Sequence, residues 1–533
     1  MSKIISFFMA IIYAIQMFFM GLFPSDDALN IIQPENTVPY YVNGESENGL
    51  LRFGVVGDGN LFAPGEKINV IIECRDEKLN GDRAKVTVES EQADMDRQGF
   101  IVFDTDKPYS TFTFTSETNG IYTVKLTLTD KTIYSFNIGI LPRNEQADDG
   151  FYYGIQPYIT RAYCWGEGFQ LPGFNAEESI DMILDTADYL GINLVREDSV
   201  GWGSMQSEAF GDVKFTAQDL LVDKVNEHGM KYNWILGFNA GKWSVAEKYK
   251  DSYDEATGWT YPPNEEIWLD FTAKTAEHYS DNTDILWEIW NEPNWAFFKG
   301  TAEEYFSLLE KTATVLKNQN PDFYVYSGGL AVAEKDTNLP YYEKSAELVN
   351  KKLLDNFGYH NHDGLDNYYN YMQSMLGLTD KAGLLTGGIN SESGVGGTDA
   401  ATIACKALYT RSTGADGFVS FSFRKTVTPE NDVNDFAFFN EYLQPDAAVI
   451  AYATVIRFLG NAEFVSNLSD EKDLVIDEYS KDGKAIKVYY SLGNTTKTTA
   501  PDGSYTAYDM YGNEIQVDKT VKVTNEPVYF VYN

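Results

Sequence analysis

The stretch Asp284–Trp295, D-I-L-W-E-I-W-N-E-P-N-W, constrains the rest of the chain. Ile285 to Trp290 is an apolar and aromatic run of the kind that forms a strand buried on both faces. It ends at Asn291-Glu292-Pro293-Asn294. Pro293 cannot donate to a sheet ladder and biases Glu292 towards extended backbone, so the strand stops there. A carboxylate is thereby expected at the C-terminal tip of a buried parallel strand, where barrel enzymes carry their reactive groups.

The surrounding pattern fits that expectation. From Phe151 to Gly460 strand and helix signals alternate. Strands are expected at Tyr152–Pro157, Asn193–Arg196, Lys231–Gly237, the run ending at Glu292, Tyr324–Ser327, Asn356–His360, Leu384–Asn390 and Gly417–Phe423, each followed by a helical segment. Asn175 with Glu178, and Thr301 with Glu304, are capping boxes; Thr216 is a further expected cap, and Gly191 and Gly229 are stop signals. Eight such units predict a (β/α)8 barrel enlarged by loops over the ~250 residues typical of one. An open doubly wound sheet would want a glycine-rich phosphate loop after its first strand, and none follows Tyr152–Pro157.

Flanking segments have a different texture. Alternating runs at Lys67–Cys74, Lys85–Ser90, Ser110–Thr115, Ile121–Thr129 and Thr132–Leu141, separated by turn residues, predict an N-terminal β-sandwich over residues 29–148. It offers no tryptophan as a sugar platform, which favours a structural flank over a carbohydrate-binding module. Arg143–Gly150 reads as a linker to the barrel, residues 149–460. Residues 461–533 predict a small C-terminal β-domain. The fold class is thus α/β, a TIM barrel between two β-domains.

Residues 1–28 carry Lys3, an apolar run from Ile4 to Phe23, then Asp26 and Asp27, the charge order of an export signal. The run is long enough to span a bilayer and no clear cleavage site follows, so a cleaved signal and a retained anchor both stand. Either places the body of the protein outside the cytoplasm, with membrane attachment through that segment only. A net charge of −38 argues against nucleic-acid or anionic-membrane partners, which need a basic face. Cys74, Cys164 and Cys405 are too scattered for a metal site or disulfide framework and read as buried thiols, with a Cys164–Cys405 bridge as the alternative.

If Glu292 ends the fourth strand, Glu392, in Ser391-Glu392-Ser393-Gly394, stands at the tip of the seventh. Three barrel units of ~31 residues predict a separation of roughly 90 to 100, and the two glutamates are 100 residues apart. Two carboxylates facing each other across a barrel mouth suit glycoside hydrolysis. All nine tryptophans lie between Trp165 and Trp295. Trp165, Trp202, Trp243, Trp259 and Trp295 follow strand ends and are candidate sugar platforms, while Trp234, Trp268 and Trp287 read as core.

Trp290-Asn291-Glu292-Pro293 on a fourth strand with a glutamate ending the seventh resembles the clan A, or "4/7", retaining glycoside hydrolases. The string Glu288-Ile289-Trp290-Asn291-Glu292-Pro293-Asn294 is most similar to family 39. The resemblance implies Glu292 as acid/base, Glu392 as nucleophile, Asn291 as a ligand of the sugar 2-hydroxyl, and Arg196 and His360 near the nucleophile. Trp290 and Trp295 are expected to give Glu292 an apolar setting, and the Arg196 guanidinium to keep Glu392 ionised. His362 stands where the family more often has a tyrosine. The eighth strand has no tryptophan under the sugar, offering Phe421 and Phe423 and then Arg424, which suggests either a smaller platform or a contact from Arg424 to an acidic sugar or a substituent. A metal centre on His360 and His362 lacks a convincing third ligand. The expected function is an exported retaining β-glycoside hydrolase acting on a poly- or oligosaccharide without cofactor, with transglycosylation as a variant. The alternative is a non-catalytic carbohydrate-binding or cell-surface adhesion protein on the same scaffold.

Overall fold

The computed structural model describes residues 28–57, 59–198, 200–395, 399–426, 436–468, 474–493 and 496–533. The expected export segment lies outside the described residues apart from Ala28. Among the described residues no helix is long and apolar enough to cross a membrane. The chain divides into two compact units, Met1–Pro142 and Arg143–Asn533.

The first unit contains β1 (Tyr41–Glu45), β2 (Leu51–Val55), β3 (Leu61–Phe62), β4 (Ile68–Cys74), β5 (Arg83–Ser90), β6 (Met95–Val102), β7 (Tyr109–Phe114), β8 (Gly120–Thr127) and β9 (Ile133–Ile140). They form a sheet of order β1-β2-β4-β7 and another of order β3-β9-β8-β5-β6. The Phe53 ring stacks on Phe136 at 5.6 Å, joining the two sheets into a sandwich. Burial alternates strictly along β8, as a half-buried strand requires. Four of these strands, β1, β2, the two-residue β3 and β6, carried no clear sequence signal. β1 contains Asn43-Gly44, which reads as a turn; in the fold a side chain at Gly44 would meet the Phe53 ring at 2.6 Å. β2 carries Gly54 one residue from its end, and β6 carries the polar run Asp96-Arg97-Gln98 followed by Gly99.

In the second unit β10 (Tyr152–Ile155), β11 (Leu194–Asp198), β12 (Lys231–Leu236), β13 (Ile285–Ile289), β14 (Tyr324–Leu330), β15 (Asn356–Asn361), β16 (Ile389–Ser393) and β17 (Gly417–Ser420) form a closed parallel barrel in sequence order. The expected barrel is present. The helices are α1 (Ile159–Cys164), α2 (Ala176–Tyr189), α3 (Trp202–Met205), α4 (Thr216–Glu227), α5 (Glu265–His278), α6 (Ala302–Gln319), α7 (Leu339–Asn350), α8 (Leu365–Ala382), α9 (Ala400–Ser412) and α10 (Ala447–Leu459). Both capping boxes form, at α2 and α6. Thr216 does not cap α4: Phe215 is the N-cap and no side chain bonds the helix end. Gly191 and Gly229 adopt the positive φ that helix-ending glycines supply, 80° and 73°.

β18 (Glu463–Asn467), β19 (Val475–Lys481), β20 (Lys484–Tyr490), β21 (Thr496–Thr499), β22 (Tyr505–Tyr508), β23 (Glu514–Ile515), β24 (Thr520–Val523) and β25 (Val528–Tyr532) build the C-terminal sheets. They belong to the same compact unit as the barrel. Phe458 of α10 stacks on Tyr529 at 4.7 Å, and Cys405 of α9 donates to the Asn525 carbonyl. That position explains why α10 is buried nearly all round instead of along one stripe.

Arg143–Gly150 is not a free linker. Asn144 donates to the Leu190 and Ala453 carbonyls and Gln146 to His228 O, tying the segment to the barrel. All three cysteines are unpaired, and Cys164, expected to be buried, is exposed.

Candidate active site

The barrel interior has an apolar floor with a polar layer above it. Leu194, Leu286, Ile389 and Val419 pack with Tyr326 as a fully buried cluster. Above them strand register brings polar side chains together. Arg196 pairs with Asn233, Glu288 with Tyr326, and His360 with Glu392. The bulge between Tyr359 and His360 shifts that last pairing by one residue.

Arg196 is the hub. Its guanidinium is fully buried and bonds Glu288 through Nε at 2.7 Å and Nη2 at 3.0 Å. Nη1 donates to Gln156 at 2.7 Å and to Glu392 at 2.8 Å, and Nη2 also donates to Asn291 Oδ1 at 2.7 Å. A buried cation needs this degree of pairing to be tolerated. Glu288, itself fully buried, further accepts from Asn233, the Tyr326 hydroxyl, Gly329 N–H and the Ser391 hydroxyl. Burial works to raise the Glu288 carboxyl, but the Arg196 charge and hydrogen bonds prevail and hold it below its ordinary range. Arg196 therefore does not pair with its chain neighbours. Glu197 accepts from the N–H groups of Ile159 and Thr160 at the start of α1, and Asp198 pairs with Arg161.

Glu392 lies inside β16, which begins and ends later than the Leu384–Asn390 expectation. The Gly387-Gly388 pair explains the late start: Gly388 takes φ 76°, so the chain is not yet extended there. Burial pushes the Glu392 carboxyl up, yet His360, the hydrogen bond from His362 and Arg196 together outweigh it and hold it well below the usual carboxylate range. His362 Nε2 lies 3.2 Å from Glu392 Oε1, so the residue that departs from the family pattern reaches the carboxylate directly.

Glu292 follows β13 on left-handed backbone. Trp290 has φ 73° and Glu292 φ 42°, conformations that cost of order 1–3 kcal/mol each for non-glycine residues. Hydrogen bonds hold both in place: Trp290 N–H to Leu236 O, the Trp290 indole to Phe297 O, and Glu292 N–H to Gly329 O. The indole of Trp290 is fully buried, edge-on to Phe298 at 5.2 Å, and is not the apolar flank expected for the Glu292 carboxyl. The carboxyl's partner is His360, whose Nδ1 stands 2.9 Å from Glu292 Oε1 and 3.9 Å from Glu392 Oε2. That nitrogen is hydrogen-bonded to Glu292 and lies beside Glu392.

Each glutamate lines a different cavity. Glu392, with Asn291, Arg196 and Gln156, borders one of about 720 Å³; Glu292, with His360 and His362, borders another of about 240 Å³. Of the expected platforms, Trp165, Trp202, Trp259 and Phe421 line the larger and Trp295 the smaller. Trp202 is nonetheless a packing residue, buried against Trp243, Trp268 and Phe271. Trp243 lines neither cavity. Phe423 is buried against Phe439, and Arg424 is buried and donates to the Phe169 and Lys425 carbonyls, so neither faces a ligand. Trp234 and Trp287 stack on each other in the core, as expected. Among the described residues no group of three or more metal-ligating side chains occurs; His360 and His362 both face glutamates.

The residues that sequence reasoning passed over are Glu288, Gln156, Asn233 and Tyr326. Glu288 was visible as the one charge in an otherwise apolar strand, and a buried charge demands a partner.

No protein-family profile matches the chain, and no curated protein matches it in sequence. Among solved structures it is similar to a family 39 glycoside hydrolase from the gut symbiont Bacteroides cellulosilyticus WH2, with a TM-score of 0.67 at 18% identity over 90% of this chain and 99% of that one. A glucosidase from Croceicoccus marinus aligns with TM-score 0.49 at 13% identity, over 73% of this chain and 96% of that one. A GH30 endoxylanase from Clostridium papyrosolvens C71 gives 0.45 at 13%, over 73% and 98%. What the first of these shares with the chain is its fold. The other two are too distant to carry an argument.

Proposed function

We propose that the chain is a retaining β-glycoside hydrolase of the clan A type, most like family 39. The observation that carries this reading is the pair of glutamates on either side of His360 at the barrel mouth, one of them held ionised against Arg196. Since one nitrogen lies within 2.9 and 3.9 Å of their oxygens, the facing oxygens of the two carboxyls are at most about 7 Å apart, which supports the close carboxyl spacing of ~5–5.5 Å that a retaining mechanism uses.

Glu392, already a carboxylate, attacks the anomeric carbon while Glu292 donates its proton to the leaving oxygen. The glycosidic bond breaks and a glycosyl ester on Glu392 forms. Water then gives its proton to Glu292 and displaces Glu392, restoring both groups. Asn291 Oδ1 accepts from Arg196, which turns its amide N–H groups towards the cavity as donors for the sugar 2-hydroxyl. Export, inferred from the Lys3–Asp27 sequence, and a poly- or oligosaccharide substrate belong to the same reading.

The test is a screen of aryl β-glycosides and polysaccharides with the wild type, Glu292→Ala and Glu392→Ala. Both variants are expected to lose activity, with azide rescuing Glu392→Ala to a product of inverted configuration. Undiminished turnover in either variant would falsify the role assigned to that residue.

A further inference from the structure

The reaction chemistry gives the two cavities different occupants. Glu392 attacks the anomeric carbon, so the ring that becomes attached to the enzyme sits in the cavity that Glu392 lines. Glu292 protonates the departing oxygen, so the leaving group sits in the cavity that Glu292 lines. The first has about 720 Å³ and the second about 240 Å³, three to one.

The larger cavity is also lined by flat side chains. Phe421 is edge-on to His362 at 5.3 Å, next to Glu392, and 6.2 Å from the Tyr158 ring. The Arg161 guanidinium lies 3.9 Å over Tyr158 and 4.9 Å over Trp165. Trp165 is braced edge-on by Phe169 at 5.4 Å and is 61% exposed, so a stacking surface remains open. Indole faces of this kind bind the C–H faces of sugar rings, and a braced one gives up little entropy on doing so.

Charge within the cavity is balanced. Of the two cations that line it, Arg161 pairs with Asp198 at 2.8 Å and Arg196 with Glu288 and Glu392. The wall therefore selects uncharged rings by stacking, not an acidic sugar by ion pairing.

We propose, building on the glycosidase reading, that the glycone side of this site holds at least two neutral β-linked sugar rings. Phe421 meets the first and the open face of Trp165, beside Arg161, the second, while the leaving-group side takes a single ring. The enzyme then releases disaccharide or longer units instead of single sugars.

The experiment compares kcat/KM for para-nitrophenyl β-glycosides of one sugar with those of the matching β-linked disaccharide, in the xylose, glucose and mannose series. In the series the enzyme accepts, the disaccharide glycoside is expected to be favoured about tenfold or more, the effect of ~1.4 kcal/mol of stacking. In Trp165→Ala that preference falls towards unity, and Trp165→Phe recovers part of it. A single-sugar glycoside turned over as well as its disaccharide, or a disaccharide preference unmoved by Trp165→Ala, overturns the inference and leaves the glycosidase reading intact. Absence of turnover on every glycoside, natural oligosaccharides included, overturns that reading and the inference with it.

Discussion

Replacing Glu288 by glutamine removes the buried counter-charge of Arg196 without changing side-chain volume. Six hydrogen bonds converge on the carboxylate. An amide placed there has one accepting end. If its nitrogen takes the Oε2 position it faces Arg196 Nε and Asn233 Nδ2; in the Oε1 position it faces Arg196 Nη2 and Gly329 N–H. Either way two donors meet a donor, and Arg196 retains Glu392 as its sole carboxylate. Breaking one side of a buried ion pair costs about 3–5 kcal/mol, and the orphaned donors account for much of it. All nine tryptophans lie between Trp165 and Trp295, so intrinsic fluorescence during urea unfolding follows the barrel alone. The variant is expected to lose about 3–5 kcal/mol at neutral pH. The Glu288 carboxyl is held below its unfolded value of 4.5, so its contribution is full above that pH and drains away on acidification. The gap between variant and wild type should therefore narrow below pH 4.5. Replacing both partners, Arg196→Met with Glu288→Leu, should restore stability relative to either single change. A Glu288→Gln protein as stable as the wild type would refute the argument that this pair is held by mutual compensation.

Three further outcomes are expected. In Gly329→Ala a Cβ would lie 2.1 Å from His360 Nε2 and 2.7 Å from Ser391 Oγ; overpacking of this kind costs about 1–3 kcal/mol, and kcat should fall as His360 is pushed from between the glutamates, both read from kinetics and melting on one preparation. His362→Phe removes a hydrogen bond that lowers the Glu392 carboxyl, so the acid limb of the kcat/KM profile should move to higher pH; an unmoved limb would exclude His362 from the charge balance. Burial raises Glu197 from 4.5 to about 7. A carboxyl raised on folding favours the folded state below its unfolded value and loses that contribution as pH rises to about 7. Unfolding measured across this window should show the wild type losing roughly 3 kcal/mol that Glu197→Gln does not lose.

The elements most legible in the sequence were those with repeated, local signals. Seven barrel strands lie where expected, because a parallel strand covered on both faces tends to be an apolar run, and the two capping boxes write a helix start into four residues; β16, with the polar sequence Ile389–Ser393, shares only Ile389 and Asn390 with its expected run. β1, β2 and β6 escaped notice because glycine and polar residues break the alternation that marks a strand, and their partners lie far away in the chain. Thr216 failed as a cap for a local reason: it is the first residue of the helix itself, and Phe215, which has no capping side chain, stands before it.

For the site, strand position and spacing singled out Glu292 and Glu392, and the family resemblance added Arg196, Asn291 and His360; the structure brings these five side chains together at one end of the barrel. Sequence alone could not tell which charges meet. That depends on strand register, on a bulge before His360 and on left-handed backbone at Trp290 and Glu292, all consequences of closing eight strands into a ring. Closure turned Glu288 from an oddity in an apolar run into the partner of Arg196. It sent Trp243 and Trp202 into packing while leaving Trp165 open, and brought His360 between two glutamates 100 residues apart. Pairwise electrostatics and stacking act over a few ångströms, so they are decided where the chain returns to itself, not along it.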